Sequence, residues 1–518
     1  MYHKDAKTKI VATIGPASQD PIKLKALIRH GVDIFRLNFK HNTVDWHVNL
    51  IHQIRNLKTM FNGLSQMPAI MLDLQGPSIR LVLSVNSIIV KSSKPLEAVN
   101  GKPQHPNQIG FTYPNLPKYL QTGDTIFADD GKFRFTVEKQ GLKTYLIPHD
   151  TGELITKKSV NLPGIYNRLD LPPLTERDLQ GLKVALLEQV ELIAISFVRS
   201  AQDILYVHKK IKEIKQTLGL DTHPFVPQIV SKIETIEAVE NIQEITVASD
   251  IIMVARGDLA IEAGFYKLPY YQSKIVQVAN SFNKPVIIAT QMLKSMTQNY
   301  LPTRAEITDV GHAVENRADA IMFSEETAMG KHPTRVVEVA QKILHYTEKQ
   351  FEEIEPIQIN ILDYTQSPTG INQKFNIDPK LLHQLKNIPD FQSAIFDLST
   401  SAYHLYLKNA EKTKAFIVFS KTGKKATYLS KYKPSIPIIA FVPNYRIYGL
   451  LKLAYNVFPV VYQQADYRNI TQQNIDYAIS YLQKNTNLIK PNTNVILIYT
   501  KQLNKYSYPR VLEIIPIQ

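Results

Sequence analysis

Residues 34–41 read Ile34-Phe35-Arg36-Leu37-Asn38-Phe39-Lys40-His41, with apolar and polar side chains in alternation. A strand has a period of two, so Phe35, Leu37 and Phe39 share one face and Arg36, Asn38 and Lys40 the other. Arg36 can grip a phosphate or carboxylate with two parallel N–H bonds. His41 follows where a strand gives way to a loop. Alone, the pattern also describes an edge strand with a wet face, and its companions must decide.

Seven further runs have an apolar body and, mostly, a polar end. They are TKIVATIG from Thr8, AIMLDLQG from Ala69, VELIAISFV from Val190, FVPQIVSKIE from Phe225, DIIMVARGD from Asp250, PVIIATQM from Pro285 and DAIMFSEET from Asp319. Helical patterns separate them, which predicts eight buried parallel strands closed into a (β/α)₈ TIM barrel with its polar ends at one mouth. Thr175 to Asp178, Ser200 to Asp203 and Thr303 to Glu306 read as capping boxes, and Asp20-Pro21 as an N-cap followed by Pro. Asp178 and Glu306 are thereby assigned to helix starts rather than to catalysis.

The helical rhythm stops between Arg80 and Gly164, where short β-like pieces alternate with Gly, Pro and Asn. The expected organisation is an α/β barrel domain over 1–80 and 165–351, a small β-barrel inserted as a lid over 81–164, a linker over 352–379, and a C-terminal α/β domain over 380–518.

The 518 residues are 44% hydrophobic and 20% charged, as in ordinary globular proteins. There is no cysteine, which excludes disulfides, zinc–thiolate sites and thiol nucleophiles. No signal-like core or bilayer-length apolar run is present, so a soluble cytoplasmic protein with no membrane partner is expected. The charge of +14 favours anionic partners. It is spread over scattered lysines without aromatic–basic interleaving, so nucleic acid is not expected. GxGxxG, GxxxxGK[ST] and GxSxG are all missing, which disfavours nicotinamide, P-loop and serine-hydrolase chemistry.

The strand tips carry the chemistry. Lys232 and Glu234 share a face at the end of the fifth run, and Arg256-Gly257-Asp258 ends the sixth. Glu234 and Asp258 on neighbouring tips suit Mg²⁺ or Mn²⁺, and Lys232 can neutralise a transferring phosphoryl group. A buried ion pair explains K-x-E alone equally well. Gly257 permits close backbone approach near a helix start. Thr290 can relay a proton or cap a helix. Asp73 and Arg80 can bind a cation and an anion, or each other's kind at the surface.

These segments resemble the pyruvate kinase family along nearly the whole chain: TKIVATIGPAS, FRLNF-KH, LDLQGPSIR, VNLPG, ISFVRSAQD, SKIE, IIMVARGDL, PVIIATQML, PTRAEITDV and S-EETAMGKHP. The resemblance implies transfer of the phosphoryl group of phosphoenolpyruvate to ADP, giving pyruvate and ATP, with Mg²⁺ or Mn²⁺ as cofactor. It implies that Arg36 and Lys232 contact the phosphoryl group and that Glu234 and Asp258 hold the divalent ion. Arg256, Gly257, Asp258 and Thr290 would surround the substrate, with Thr290 on the protonation route. Asn38, His41, Arg80 and Lys158 would contact nucleotide, and the chain would form a homotetramer. Ser420-Lys421-Thr422-Gly423-Lys424 resembles the family's effector-phosphate loop, although TKQLNKYSYPRVLEI lacks the Gly-rich segment of regulated members.

The chain departs from the family at its K⁺ site. Asn38 and Asp73 are present, but Lys40 stands at the usual Ser, Leu74-Gln75 at the usual Thr-Lys, and Ser78 at the usual Glu. The expectation is that the Lys40 ammonium replaces K⁺, with Asn38 and Asp73 as partners, so that K⁺ is not required. A catalytically silent sensor or scaffold is the alternative, disfavoured because Arg36, Lys232, Glu234, Asp258 and Thr290 are intact.

Overall fold

The computed structural model describes residues 6–57, 67–353, 393–486, 488–502 and 507–517. Eight parallel strands close into a barrel, each beside its sequence neighbours: Lys9–Thr13, Ile34–Asn38, Ala69–Asp73, Leu192–Ile195, Gln228–Ile233, Ile251–Ala255, Val286–Ala289 and Ala320–Phe323. The TIM barrel read from the strand pattern is thus the observed fold. Ile34, Met71, Ala194, Val230 and Met253 belong to the cluster that fills the barrel. Phe35, Leu37 and Phe39 face outward into the helix layer and are fully buried, each stabilising by about 1.5–3 kcal/mol. Arg36 and Asn38 therefore continue the inward face of Ile34 toward the mouth.

The inserted lid lies between the third and fourth barrel strands. Seven strands close it: Ile79–Val82, Leu96–Ala98, Gln108–Phe111, Thr125–Ala128, Phe133–Gln140, Lys143–Pro148 and Ser159–Asn161. Its polypeptide leaves the large barrel through Leu74–Ser78 and returns through Ser159–Asn161.

The C-terminal region forms a five-stranded sheet in the order Val457–Val461, Ile438–Val442, Thr413–Phe419, Asn494–Thr500, Arg510–Pro516, parallel except at the last strand. Its Leu453 joins the cluster inside the large barrel and seals the floor. The mouth at the strand C-termini is left as the working end. The helix Pro333–Glu353 reaches the first two positions of the expected linker. The rest of that linker, and residues 380–392, lie outside the described residues.

Thr175/Asp178 and Thr303/Glu306 form reciprocal capping boxes, and Asp20 caps the helix opened by Pro21. Ser200 does not behave as read. Its hydroxyl makes no capping bond, and the Asp203 carboxylate accepts from Arg199 N at 2.8 Å rather than from Ser200 N. Among the described residues, no helix is long and apolar enough to cross a membrane.

Candidate active site

The inward polar face of the strand tips builds one cluster. Arg36 sits opposite Thr13 in register, and its Nη1 donates to Thr13 Oγ1 at 2.9 Å. Its Nε donates to Asp73 Oδ2 at 2.7 Å, and Nη2 reaches the same oxygen at 2.6 Å. Lys232 Nζ lies 2.9 Å from Glu234 Oε1 and 3.4 Å from Asp73 Oδ1, and donates to Ser196 Oγ at 2.7 Å. Burial alone would push Asp73 up, but Lys232 and Arg36 outweigh it and hold the carboxyl below its usual range. Burial would likewise lower Lys232, but Asp73 and Glu234 raise it, so it stays charged. The cluster is a compensated set of charges, each with hydrogen-bond partners, as burial demands.

Glu234 is buried, and its Oε2 accepts from Phe197 N at 2.7 Å. Phe197 holds φ +55°, a conformation unusual for an aromatic residue, to aim that N–H. Burial raises Glu234, Lys232 opposes this, and nearby Asp258 raises it further. Asp258 is half-buried at the head of the helix Arg256–Ala263. Two neighbouring carboxylates, one buried and one half-buried, offer the oxygen donors a hard divalent cation takes. Among the described residues no third acidic or histidine side chain joins them, so substrate oxygens and water would complete the shell, as Mg²⁺ prefers.

Thr290 sits at φ +72° and Gln291 at +53°. A β-branched residue in the left-handed region is strained by about 1–3 kcal/mol. The strain brings Thr290 Oγ1 to accept from Gly257 N at 2.9 Å. Arg256 secures this turn: Nη2 donates to Thr290 O at 2.7 Å, and Nη1 pairs with Asp309 Oδ1 at 2.7 Å. Its guanidinium is thus spent within the protein, and only its backbone remains for a ligand.

The loop after the second strand gives a correction. Lys40 was expected to pair with Asp73 and Asn38. Asp73 is instead committed to Arg36 and Lys232, and Asn38 Oδ1 accepts the Lys40 backbone N–H at 3.3 Å. The Lys40 side chain lies within electrostatic reach of Arg80, Lys232, Asp258 and Glu234. Burial lowers it, Arg80 and Lys232 lower it further, and Asp258 and Glu234 raise it. His41 is lowered by burial and by Lys40, Arg36 and Arg80.

Arg80 and Lys158 are carried by the lid. Arg80 pairs in register with Ser159, and Lys158 Nζ meets Asp129 Oδ1 at 2.7 Å.

In the C-terminal sheet, a cavity of about 470 Å³ is lined by Ser420, Lys421 and Thr422, together with Arg468 and Arg510. Gly423 and Lys424, also expected there, do not line it: Gly423, at φ +84°, starts the helix Lys424–Ser430. Lys425 lines it instead, donating to Thr500 Oγ1 at 2.8 Å, and burial drops its ammonium to about 7.

Sequence reasoning missed Ser196, Thr13 and Asp309. Ser196 was legible in principle, being two residues beyond inward Ala194 at a strand tip. Asp309 is mid-helix, and nothing local marks it.

A family model described as pyruvate kinase, barrel domain, matches residues 5–337, and one described as pyruvate kinase, alpha/beta domain, matches residues 399–507. A pyruvate kinase of Lachancea kluyveri is 31% identical over 505 residues, covering 95% of this chain and 92% of that protein. One from Chlamydia muridarum is 33% identical over 467 residues, covering 89% of each. The crystal structure of a pyruvate kinase from Cryptosporidium parvum superposes with a TM-score of 0.83 at 29% identity, covering 99% of this chain and 96% of the other.

Proposed function

The chain belongs to the pyruvate kinase family of phosphotransferases, and from that premise we propose that it moves the phosphoryl group of phosphoenolpyruvate to ADP at the mouth described above, without needing K⁺. A β-phosphate oxygen of ADP forms a new P–O bond while the bond from phosphorus to the enol oxygen breaks. The enolate left behind takes a proton at its methylene carbon and becomes pyruvate.

The observation that carries this reading is Lys232 held between Asp73 and Glu234 beside Arg36. Two fixed cations at one mouth stabilise charge spread over phosphoryl oxygens without reorganising at the moment of transfer. Glu234 and Asp258 would hold Mg²⁺ or Mn²⁺, which supplies further charge neutralisation and orients the phosphate oxygens. The Arg256 and Gly257 backbone at a helix start suits the substrate carboxylate, and Thr290 lies on the route that protonates the enolate. Asn38, His41, Arg80 and Lys158 surround the nucleotide, the last two arriving with the lid, whose closure excludes water.

Lys40 replaces the monovalent cation by bringing one positive charge to the same mouth, near Asp258 and Glu234 rather than Asp73. The C-terminal cavity, walled by Ser420 to Thr422 and by basic side chains, suits a phosphorylated effector. Exposed Phe265, Tyr266 and Tyr270 give an apolar face that suits a homo-oligomer.

The test is pyruvate formation by the purified chain with phosphoenolpyruvate, ADP and Mg²⁺, in buffer free of K⁺ and Na⁺. Turnover there, raised less than twofold by K⁺, supports the reading. Strong K⁺ activation removes the role of Lys40. No pyruvate with any cation favours the silent sensor.

A further inference from the structure

The lid is joined to the large barrel by two segments, and each is pinned by one buried carboxylate. On the outgoing side, Asp178 accepts from Gln75 N at 2.8 Å and Gly76 N at 3.2 Å. On the returning side, Glu262 Oε1 accepts from Asn161 Nδ2 at 3.0 Å, Leu162 N at 3.1 Å and Tyr166 Oη at 3.1 Å. The two clasps differ in where their carboxylate stands. Asp178 caps a helix that carries none of the mouth residues. Glu262 lies on the helix Arg256–Ala263, one turn beyond Asp258 and on the same face.

Asn161 links the two acids. Its Nδ2 reaches Asp258 Oδ1 at 3.5 Å while donating to Glu262 at 3.0 Å. Glu262, Asn161 and Tyr166 are each 2% exposed, and Asp258 is half-buried. An amide anchored on one side by Glu262 has little freedom on the other. Its position against Asp258 is then set by how the returning lid segment sits.

We propose that Glu262 is a positioning residue for divalent-cation binding: it clamps the returning lid segment so that Asn161 orients Asp258, coupling lid placement to the cation site. The inference rests on the cation site proposed above. Burial pushes the Glu262 carboxyl up to about 8, so at neutral pH it is chiefly the neutral acid. It therefore acts as a hydrogen-bond clamp and adds little charge of its own, and glutamine is its nearest mimic.

The experiment measures Mn²⁺ binding by electron paramagnetic resonance on the full-length chain at pH 7, without turnover, for native protein, Glu262→Gln, Glu262→Met, Asn161→Ala and the Met/Ala double variant. Thermal melting accompanies each. Glu262→Met should weaken Mn²⁺ binding five- to tenfold, and Glu262→Gln should stay within twofold of native. In the Asn161→Ala background, Glu262→Met should have no further effect, because the link to Asp258 is already cut. Asn161→Ala alone should weaken binding three- to tenfold, which decides the matter if Glu262→Met does not fold. Folded variants that bind Mn²⁺ as tightly as native overturn the coupling alone, as does an equal loss from Glu262→Met with and without Asn161. A native chain that binds no Mn²⁺ overturns the coupling and the cation site together.

Discussion

The Arg36 guanidinium closes on a single oxygen of Asp73, with Nη2 at 2.6 Å and Nε at 2.7 Å, while the other Asp73 oxygen faces Lys232 at 3.4 Å. One carboxylate on the third strand thus orients both cations of the mouth. Asp73→Asn should leave two buried cations short of their counter-charge, destabilising the chain by about 3–5 kcal/mol. It should also lower kcat by about 10²-fold through loss of preorganisation. Melting curves and pyruvate formation check both. A folded variant with native kcat would show that Arg36 and Lys232 hold their places unaided.

Lys40 supplies a charge that a small neutral side chain cannot. Lys40→Ser should therefore depend on added K⁺, with at least tenfold activation, where the native chain should show less than twofold. Lys40→Arg should keep the charge but not its compact shape, and should fall between the two. Titrating KCl into the coupled assay reads this directly. A Lys40→Ser variant that remains fully active in K⁺-free buffer refutes the tethered-cation role.

Thr290 offers a case where stability and activity part. At φ +72° a glycine would relax strain of about 1–3 kcal/mol, against roughly 0.5–1 kcal/mol of added chain entropy. It would also delete the Oγ1 that accepts from Gly257 N. Thr290→Gly should thus melt no lower than native, yet lose more than tenfold in kcat. A matched fall in both would mean the residue is structural only.

The buried group at the junction with the C-terminal sheet makes a contrasting pair. Asp319, 1% exposed, takes Lys431 at 2.5 Å and Lys433 at 3.0 Å. Burial pulls Lys433 down to about 7, so its charge is costly there despite Asp319. Asp319→Asn should cost about 3–5 kcal/mol, because both ammonium groups lose their partner. Lys433→Met should change stability by less than about 1 kcal/mol, because it leaves a one-to-one pair and removes the strained charge. Equal losses in the two variants would count against this account.

What the sequence disclosed and withheld follows from the range of each interaction. Eight strands were legible because a buried strand needs a continuous apolar body, and the inward turn of Arg36 because period two fixes a face. Lys232, Glu234 and Asp258 were legible because strand tips of a barrel must converge. The partner of Lys40 was misread because Asp73 is settled between three strands, and which cation wins it depends on distance rather than on spacing along the chain. Glu262 was passed over for a related reason: four residues from Asp258, it reads as ordinary helix until the lid segment is folded back onto it. The left-handed Thr290 and Phe197 were invisible, since only surrounding structure can hold such residues there.

His47 ties the loop of Lys40 and His41 to pH. It is fully buried, its Nε2 donates to His41 O at 2.9 Å, and its ring lies 4.7 Å from Phe39 and 4.9 Å from Trp46. Nε2 must carry the proton to meet a carbonyl, so Nδ1, which has no partner, is bare in the neutral ring. Burial lowers His47 to about 4, against an ordinary value near 6.5. The folded state then binds fewer protons than the unfolded chain between those two values. The stability from a neutral His47 is complete above about pH 6.5 and is lost as pH falls toward 4, amounting to about 3 kcal/mol. His47→Gln keeps a donor for His41 O but cannot ionise. Urea unfolding followed by Trp46, the sole tryptophan, should show the native chain losing about 3 kcal/mol more than His47→Gln between pH 6.5 and 4. Parallel pH profiles for the two would mean that His47 is not the group that loosens this loop in acid.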